Sequence, residues 1–395
     1  MAERARALLA ALALAACGDD AGGDDSTMTT PPPATGGLTE GTGTPEPTTG
    51  QAPGETGDAT AADATGDNET GDDDPTTGAD DETGPPVDEP DGLFIAVGDG
   101  GRRLRSSDGQ TWDGVIGSGL LDIEDEMAPP DALRALAAGD GYVIAVGGGG
   151  TYWSGNAMIM RSVDAGMTWQ EDVLADSPDV PQTKLHGVAA SGPTVVAVGM
   201  RGKRIRSVDA GLTFTDVSFE DQNARFLSVA AQGQTFVIAG WAEDSYDSPK
   251  TSALTVSTDG GATWSPVDES QVRLDAVVAG AGVFVALGAD VCLRSADGLA
   301  WSPCGSGAAP YIGVSYTGGD FILTSAAGLT TSPDATTWSD PVMPTYGPPK
   351  LVARGNDRWV GLRWTDRGFS ETLVEWMYTS QPTEPLRALV FVPNP

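Results

Sequence analysis

Six short segments of one pattern punctuate the chain from residue 106 onward, and they constrain the fold more than any other feature. They are 106–112 (SSDGQTW), 162–169 (SVDAGMTW), 207–214 (SVDAGLTF), 257–264 (STDGGATW), 295–301 (SADGLAW) and 332–338 (SPDATTW). Their third positions are Asp108, Asp164, Asp209, Asp259, Asp297 and Asp334, separated by 56, 45, 50, 38 and 37 residues. Units of this length do not bury an apolar face alone, so they stack on one another.

Each residue type in the pattern has a mechanical use. Ser and Asp bond nearby backbone N–H groups and fix a turn. Gly supplies a positive φ. The terminal Trp is a large apolar anchor. Upstream of each segment lie two short alternating runs joined by Gly-bearing turns, such as 185–190 with 194–198 and 226–231 with 235–239. A third run leads into the segment and a fourth follows it. Four antiparallel strands per unit make a propeller blade. A seventh unit, without a good copy of the segment, fits strands at 350–353, 358–363, 373–378 and 386–392. The first unit starts at Leu93 with its second strand, so 386–392 alternatively supplies the missing first one. Either arrangement closes the ring. The expected fold is all-β: a seven-bladed β-propeller of four-stranded antiparallel blades over residues 92–395.

The segments resemble the Asp-box, or BNR repeat, Ser-x-Asp-x-Gly-x-Thr-Trp. Three copies keep the full spacing, with Phe214 in place of Trp in one. Three are a residue shorter, and the copy at 332 lacks Gly. Resemblance extends to sialidase-like propellers, to the seven-bladed photosystem assembly factors and to related exported BNR proteins.

Charge divides the chain. The formal net charge is −34, with 56 acidic and 22 basic residues. Residues 18–91 carry 20 of the acidic ones and no Lys or Arg. That stretch has no aromatic residue and almost no large aliphatic, so it cannot offset chain entropy by burial. We read it as a disordered acidic tether, roughly 50 Å r.m.s. as a Gly-rich coil and longer with self-repulsion. Such a chain does not neutralise phosphates, which excludes nucleic-acid binding. A single His excludes a multi-His metal site; no metal and no cofactor is expected.

Residues 1–17 begin with Arg4 and Arg6, continue with an Ala/Leu run too short to span a bilayer, and end Leu14-Ala15-Ala16-Cys17. This resembles a lipoprotein signal peptide with its lipobox. The resemblance implies acylation of Cys17, export, and anchoring to the cell envelope; the outer membrane or cell surface is the expected place, and a monomer the expected state. Export also bears on Cys292 and Cys304. Around the segment at 295, Ser295 faces Trp301, and the same register sets Cys292 opposite Cys304. An oxidising compartment favours a disulfide there; two buried thiols are the alternative.

Variation in loop length is confined to one face. Turns between first and second strands are short, and those between third and fourth are the repeated segments. Long insertions (147–157, 241–250, 365–371, 116–131 and 174–183) all fall on the opposite face, as in a scaffold that carries a binding site. They hold Tyr152, Trp153, Trp241, Tyr246 and Phe369, with Trp364 at a loop entry. Aligning the inner strands on Val188, Val229 and Val277 also places Lys184, Arg225 and Arg273 at one position in three consecutive blades. Three cations would meet at the channel mouth, as a site for an anion or carboxylate. Arg105, Arg161, Arg206 and Arg294 recur before the segment's Ser and are read as structural.

Two functions compete. The sialidase resemblance implies hydrolysis of an anionic sugar, through an Arg triad, a Tyr–Glu nucleophile and an Asp acid/base. Yet the chain has seven units rather than six and no Arg-Ile-Pro, and only Lys184, Arg225 and Arg273 echo the triad. Tyr311 and Tyr316 carry no supporting pattern. His186 reads as a packed strand residue, with no Gly-x-Ser-x-Gly elbow near it. The preferred reading is a non-enzymatic binding or scaffold module for a glycan or protein partner, with no catalytic residue assigned.

Overall fold

Short alternating runs set seven antiparallel sheets around an axis. The computed structural model describes Ala13–Leu14 and residues 90–115, 132–149, 156–170, 173–176, 183–218, 223–242, 251–267, 273–306, 309–363, 366–380 and 385–394. The anchor and tether fall almost wholly outside these. Ala13–Leu14 pairs with Leu136 and Ala137 of one inner strand.

From the inside outward, blade 1 is Leu386–Pro393, Gly92–Gly98, Arg103–Ser106 and Asp113–Val115. Blade 2 is Ala132–Gly139, Tyr142–Gly148 and Met158–Ser162. Blade 3 is Leu185–Ser191, Thr194–Gly199, Arg204–Ser207 and Thr215–Asp216. Blade 4 is Ala224–Gln232, Thr235–Ala242, Thr255–Ser257 and Ser265–Pro266, with Thr251–Ser252 added to its second strand. Blade 5 is Ala276–Gly280, Val283–Leu287, Cys292–Ser295 and Ser302–Pro303. Blade 6 is Tyr311–Thr317, Asp320–Ser325 and Gly328–Ser332. Blade 7 is Leu351–Gly355, Arg358–Arg363, Asp366–Ser370 and Met377–Ser380. We call the strands a to d. The inner strands of successive blades touch in turn, and that of blade 7 touches that of blade 1. The chain is a seven-bladed β-propeller.

Outer strands are the weakest part of the four-strand pattern. In blades 2 and 6 the fourth position is reduced, among the described residues, to single bridges, Arg161 with Gln170 and Leu329 with Val342. In blade 6 the Ser339 hydroxyl accepts from Thr331 N–H, taking the place of a strand carbonyl.

The seventh unit needs two corrections. Strand 386–393 belongs to blade 1, where it pairs with Gly92–Gly98 along its length. Strand c of blade 7 is Asp366–Ser370, within the stretch expected to be a loop, and strand d is Met377–Ser380. The turn between them is a seventh copy of the repeated segment without its Asp. Thr372 N–H donates to Ser370 Oγ at 3.3 Å, and Trp376 Nε1–H donates to Leu373 O at 2.8 Å. Leu373 takes the positive φ (64°) that Gly supplies in five copies and Ala335 (56°) in blade 6. The signal was the spacing of Ser370 and Trp376, which equals that of Ser106 and Trp112.

The apolar core is divided among the seven interfaces between blades rather than gathered at one centre. Seven buried clusters each draw on two adjacent blades, as where Ile144 and Val146 of blade 2 meet Val188 and Ile205 of blade 3. Inner strands are also tied directly. Ser228 Oγ donates to Val277 O and accepts from Val277 N–H, at 3.1 and 3.0 Å.

In all six Asp-bearing turns the Ser hydroxyl donates to the Asp Oδ1. In blade 4, the Ser257 hydroxyl donates to Asp259 Oδ1 at 2.7 Å and accepts from Gly261 N–H at 2.8 Å. Asp259 also accepts from Thr263 N–H and from the Thr263 hydroxyl, at 2.9 and 2.6 Å. Trp264 Nε1–H donates to Gly261 O. The Gly is needed for space as well as φ. A Cβ on Gly261 would stand 2.5 Å from Val196 Cγ2 of blade 3, and one on Gly211 2.5 Å from Ile144 Cδ1 of blade 2.

Cys292 and Cys304 are joined by a disulfide, with Cα atoms 5.4 Å apart. Cys304 N–H donates to Cys292 O, and the flanking pairs Leu293–Pro303 and Arg294–Ser302 set this register.

Candidate functional site

The rim where inner strands begin is built by three adjoining blades. Lys184 precedes Leu185–Ser191, Arg225 is the second residue of Ala224–Gln232, and Arg273 precedes Ala276–Gly280. Met200 links the first two: its N–H donates to Lys184 O at 3.1 Å, and it bridges to Arg225. Trp241 links the last two. It pairs with Arg225 across blade 4. The Arg225 guanidinium lies 4.0 Å and that of Arg273 5.4 Å from the Trp241 ring centroid. Arg273 is further held by Asp275 at 2.5 Å.

This changes the expected role of Trp241. It is not an exposed loop residue; it is the penultimate residue of strand b of blade 4 and is 3% exposed. Its ring is a buried floor whose π face stabilises cations resting on it. Phe369 is corrected more fully. It lies on strand c of blade 7, 8% exposed, within the interface between blades 7 and 1. Alternation along the strand turns it inward, so it offers no stacking surface. Cys17, Tyr152, Trp153, Tyr246 and Trp364 lie outside the described residues.

Two arginines of the repeated segments connect blades, whereas Arg105 pairs with Asp113 inside blade 1 at 3.0 Å. Arg161 of blade 2 donates to Ala210 O of blade 3 at 2.8 Å, and Arg206 of blade 3 to Gly260 O of blade 4 at 2.6 Å. A second series sits three residues before the Ser. Arg204 is fully buried, 4.3 Å from the Phe226 ring centroid of blade 4. Arg103 donates to Met160 Sδ of blade 2. Arg367 lies over Trp112 of blade 1, its pKa lowered by burial and then by Arg102. Each reaches the following blade. The constant offset from Ser was the available signal, obscured because only three blades use it.

Tyr311 and Tyr316 stand near opposite ends of one inner strand. The first bonds Ser306 and the second packs on Phe321. They do not converge on one site. His186 is 2% exposed within its strand. Among the described residues no cluster of His, Cys, Asp and Glu could hold a metal ion.

No family model matches the chain, and no curated protein does. Solved structures similar to it include YCF48 bound to D1 peptide, at 19% identity over 50% of this chain and 68% of that one, with a TM-score of 0.39. YCF48 from Cyanidioschyzon merolae is similar at 18% identity, 52% and 74% coverage, and 0.37. The GH74 xyloglucanase from Xanthomonas campestris is similar at 16% identity over 77% of this chain and 52% of that one, with a TM-score of 0.49. At these identities and scores the likeness speaks to neither ligand nor reaction.

Proposed function

We propose that this chain is a binding module: an exported propeller, acylated at Cys17 and held off the membrane by residues 18–91, whose loop-rich face takes a glycan or protein partner. The observation that carries this reading is the placement of two guanidiniums over one buried indole at the start of neighbouring inner strands. A guanidinium offers paired donors that match carboxylate, sulfate or phosphate. Trp241 and Asp275 hold Arg225 and Arg273 in position before a ligand arrives, which lowers the ordering cost of binding. Lys184 on the next blade extends the same rim. The partner therefore presents an anionic group, as an acidic peptide segment or an acidic glycan does.

The test is titration of the full chain with acidic peptides and with uronate and sulfated oligosaccharides at two salt concentrations. Binding that weakens with salt, and falls about tenfold in Arg225→Ala/Arg273→Ala, supports the reading. Binding that the double variant leaves unchanged, or no binding at all, sinks it. Hydrolysis of a fluorogenic sialoside, abolished by Arg225→Ala, would replace it with the hydrolase reading. Cys17→Ser should move the protein from the membrane pellet to the soluble fraction.

A further inference from the structure

Blade 7 carries a concavity at its loop-rich end. It has a volume of about 440 Å³ and is lined by Tyr346, Arg363, Asp366, Trp376, Met377 and Tyr378. Its floor follows from two glycines. Gly361 and Gly368 face each other across strands b and c, and Gly368 pairs with Tyr378 on strand d. A Cβ on Gly361 would stand 2.7 Å from the Trp376 ring, and one on Gly368 2.6 Å from the Tyr378 ring. Bare backbone at both positions lets the two rings lie over the sheet. They stack with centroids 6.0 Å apart and planes 19° apart.

The rim is held as firmly. The Tyr378 hydroxyl donates to Gly347 O at 3.1 Å, and burial pushes its pKa up to about 12, so it stays a neutral donor. Arg363 donates to Tyr346 O, and Gly347 N–H donates to Pro344 O at 3.0 Å. These bonds fix the loop before blade 7 while leaving Tyr346 itself 66% exposed at the edge. An exposed aromatic on a backbone fixed by three bonds is a platform, not a side chain waiting for a core position.

The polar groups select the ligand. Arg363 and Asp366 are cross-strand partners, so a donor-only and an acceptor-only group flank one opening. An anion would face the carboxylate and a cation the guanidinium. A neutral polyol is met by both, its hydroxyls donating to Asp366 and accepting from Arg363. The C–H face of a pyranose is the apolar surface that packs on a Tyr ring. The volume lies within the ~300–1,000 Å³ usual for small-ligand sites.

We propose that this pocket is a subsite for a neutral pyranose ring of a glycan, with Tyr346 as the stacking platform and Asp366 and Arg363 as the hydroxyl partners. The proposal rests on the reading of the loop-rich face as the binding face. Isothermal titration of the full chain with cellohexaose, maltohexaose, mannohexaose and xylohexaose tests it. At least one should bind. Tyr346→Ala should weaken that binding about fivefold to tenfold, and Tyr346→Phe should preserve it, since stacking needs the ring and not the hydroxyl. Asp366→Asn should weaken it as well. Arg225→Ala/Arg273→Ala should leave it unchanged, so failure of the cationic rim and failure of this pocket read out separately. Binding of none of the four sugars, binding indifferent to Tyr346→Ala, or occupation of the pocket by a peptide instead would overturn the proposal.

Discussion

A single carboxylate illustrates how the repeated turn works. Asp259 is largely exposed, yet its pKa is held down at about 2 by the Thr263 hydroxyl first and the Thr263 N–H next, with burial opposing and Ser257 and Ala262 N–H adding to the fall. Hydrogen bonds to the charged form, not an ion pair, produce the shift. A depressed folded pKa means the contribution to stability is present in full above the ordinary Asp value near 4 and is lost as pH falls through about 2. Thr263→Ala removes the 2.6 Å hydroxyl bond and keeps the backbone N–H bond at 2.9 Å. The Asp259 pKa should rise toward its ordinary value, read by carboxyl NMR titration, and the acid limb of unfolding should move to higher pH. An unchanged Asp259 pKa would assign the shift to the backbone bonds and the Ser257 hydroxyl. All six Asp-bearing turns were legible in the sequence because Ser, Asp and a closing aromatic residue act within a few residues of each other. The turn at Ser370 was not, because Thr372 stands where the others carry Asp, and Leu373 adopts the positive φ without a Gly.

At the scale of elements, arginines join some of the blades alongside the apolar packing. Arg204 is 0% exposed, and its guanidinium lies over Phe226 and, at 5.9 Å, over Trp264, both of the next blade. Its stem and its π contacts are lost together on truncation, and the hole is closed by rigid strands. Arg204→Ala should cost about 2–4 kcal/mol, read from the midpoint of denaturant unfolding. Arg206→Ala removes one bond to Gly260 O from a partly exposed side chain and should cost about 1 kcal/mol. Equal costs would mean that the buried position contributes packing no better than the rim. The sequence marked Arg206 as structural through its recurrence before Ser. Arg204 carried the weaker mark of a position used in only three blades. Likewise, the alternating run at 235–239 stopped short of Trp241, which was read as a loop residue, although strand b continues through it to Ala242. Its neighbours Arg225 and Arg273 come from two blades, and that meeting is a tertiary fact. Phe369 was read as a loop residue because the strand that carries it is bounded by a turn the pattern did not reveal.

The whole molecule depends on one strand that the sequence left between two positions. An alternating apolar run specifies that a strand exists, not which edge it joins, and both edges of the gap between blades 7 and 1 were open. The structure places Leu386–Pro393 inside blade 1, opposite Gly92–Gly98. Ala388, Leu389 and Val390 are fully buried and serve the cores on both sides of that blade. Arg387 clasps Asp99 in a bidentate pair at its start, and Asn394 N–H donates to Asp91 O at its end, at 2.7 Å. Deleting residues 386–395 opens two interfaces and exposes the edge of Gly92–Gly98. The loss is on the order of 5 kcal/mol or more, comparable with the whole stability of a typical domain. The shortened chain should lose its cooperative melting transition or aggregate through the open edge. The deletion alone does not separate ring closure from general damage, so a permuted chain completes the test. Asn394 Nδ2 donates to Pro90 O at 2.6 Å, which puts the end of strand a beside the start of strand b. Moving residues 386–394 ahead of Pro90 through a short Gly-bearing turn makes blade 1 a local unit, with every native pairing kept. The permuted chain should melt within a few degrees of the parent and refold faster, because its closing contact no longer waits for the rest of the ring. If it melts as low as the deletion, Leu386–Pro393 does not act by filling blade 1.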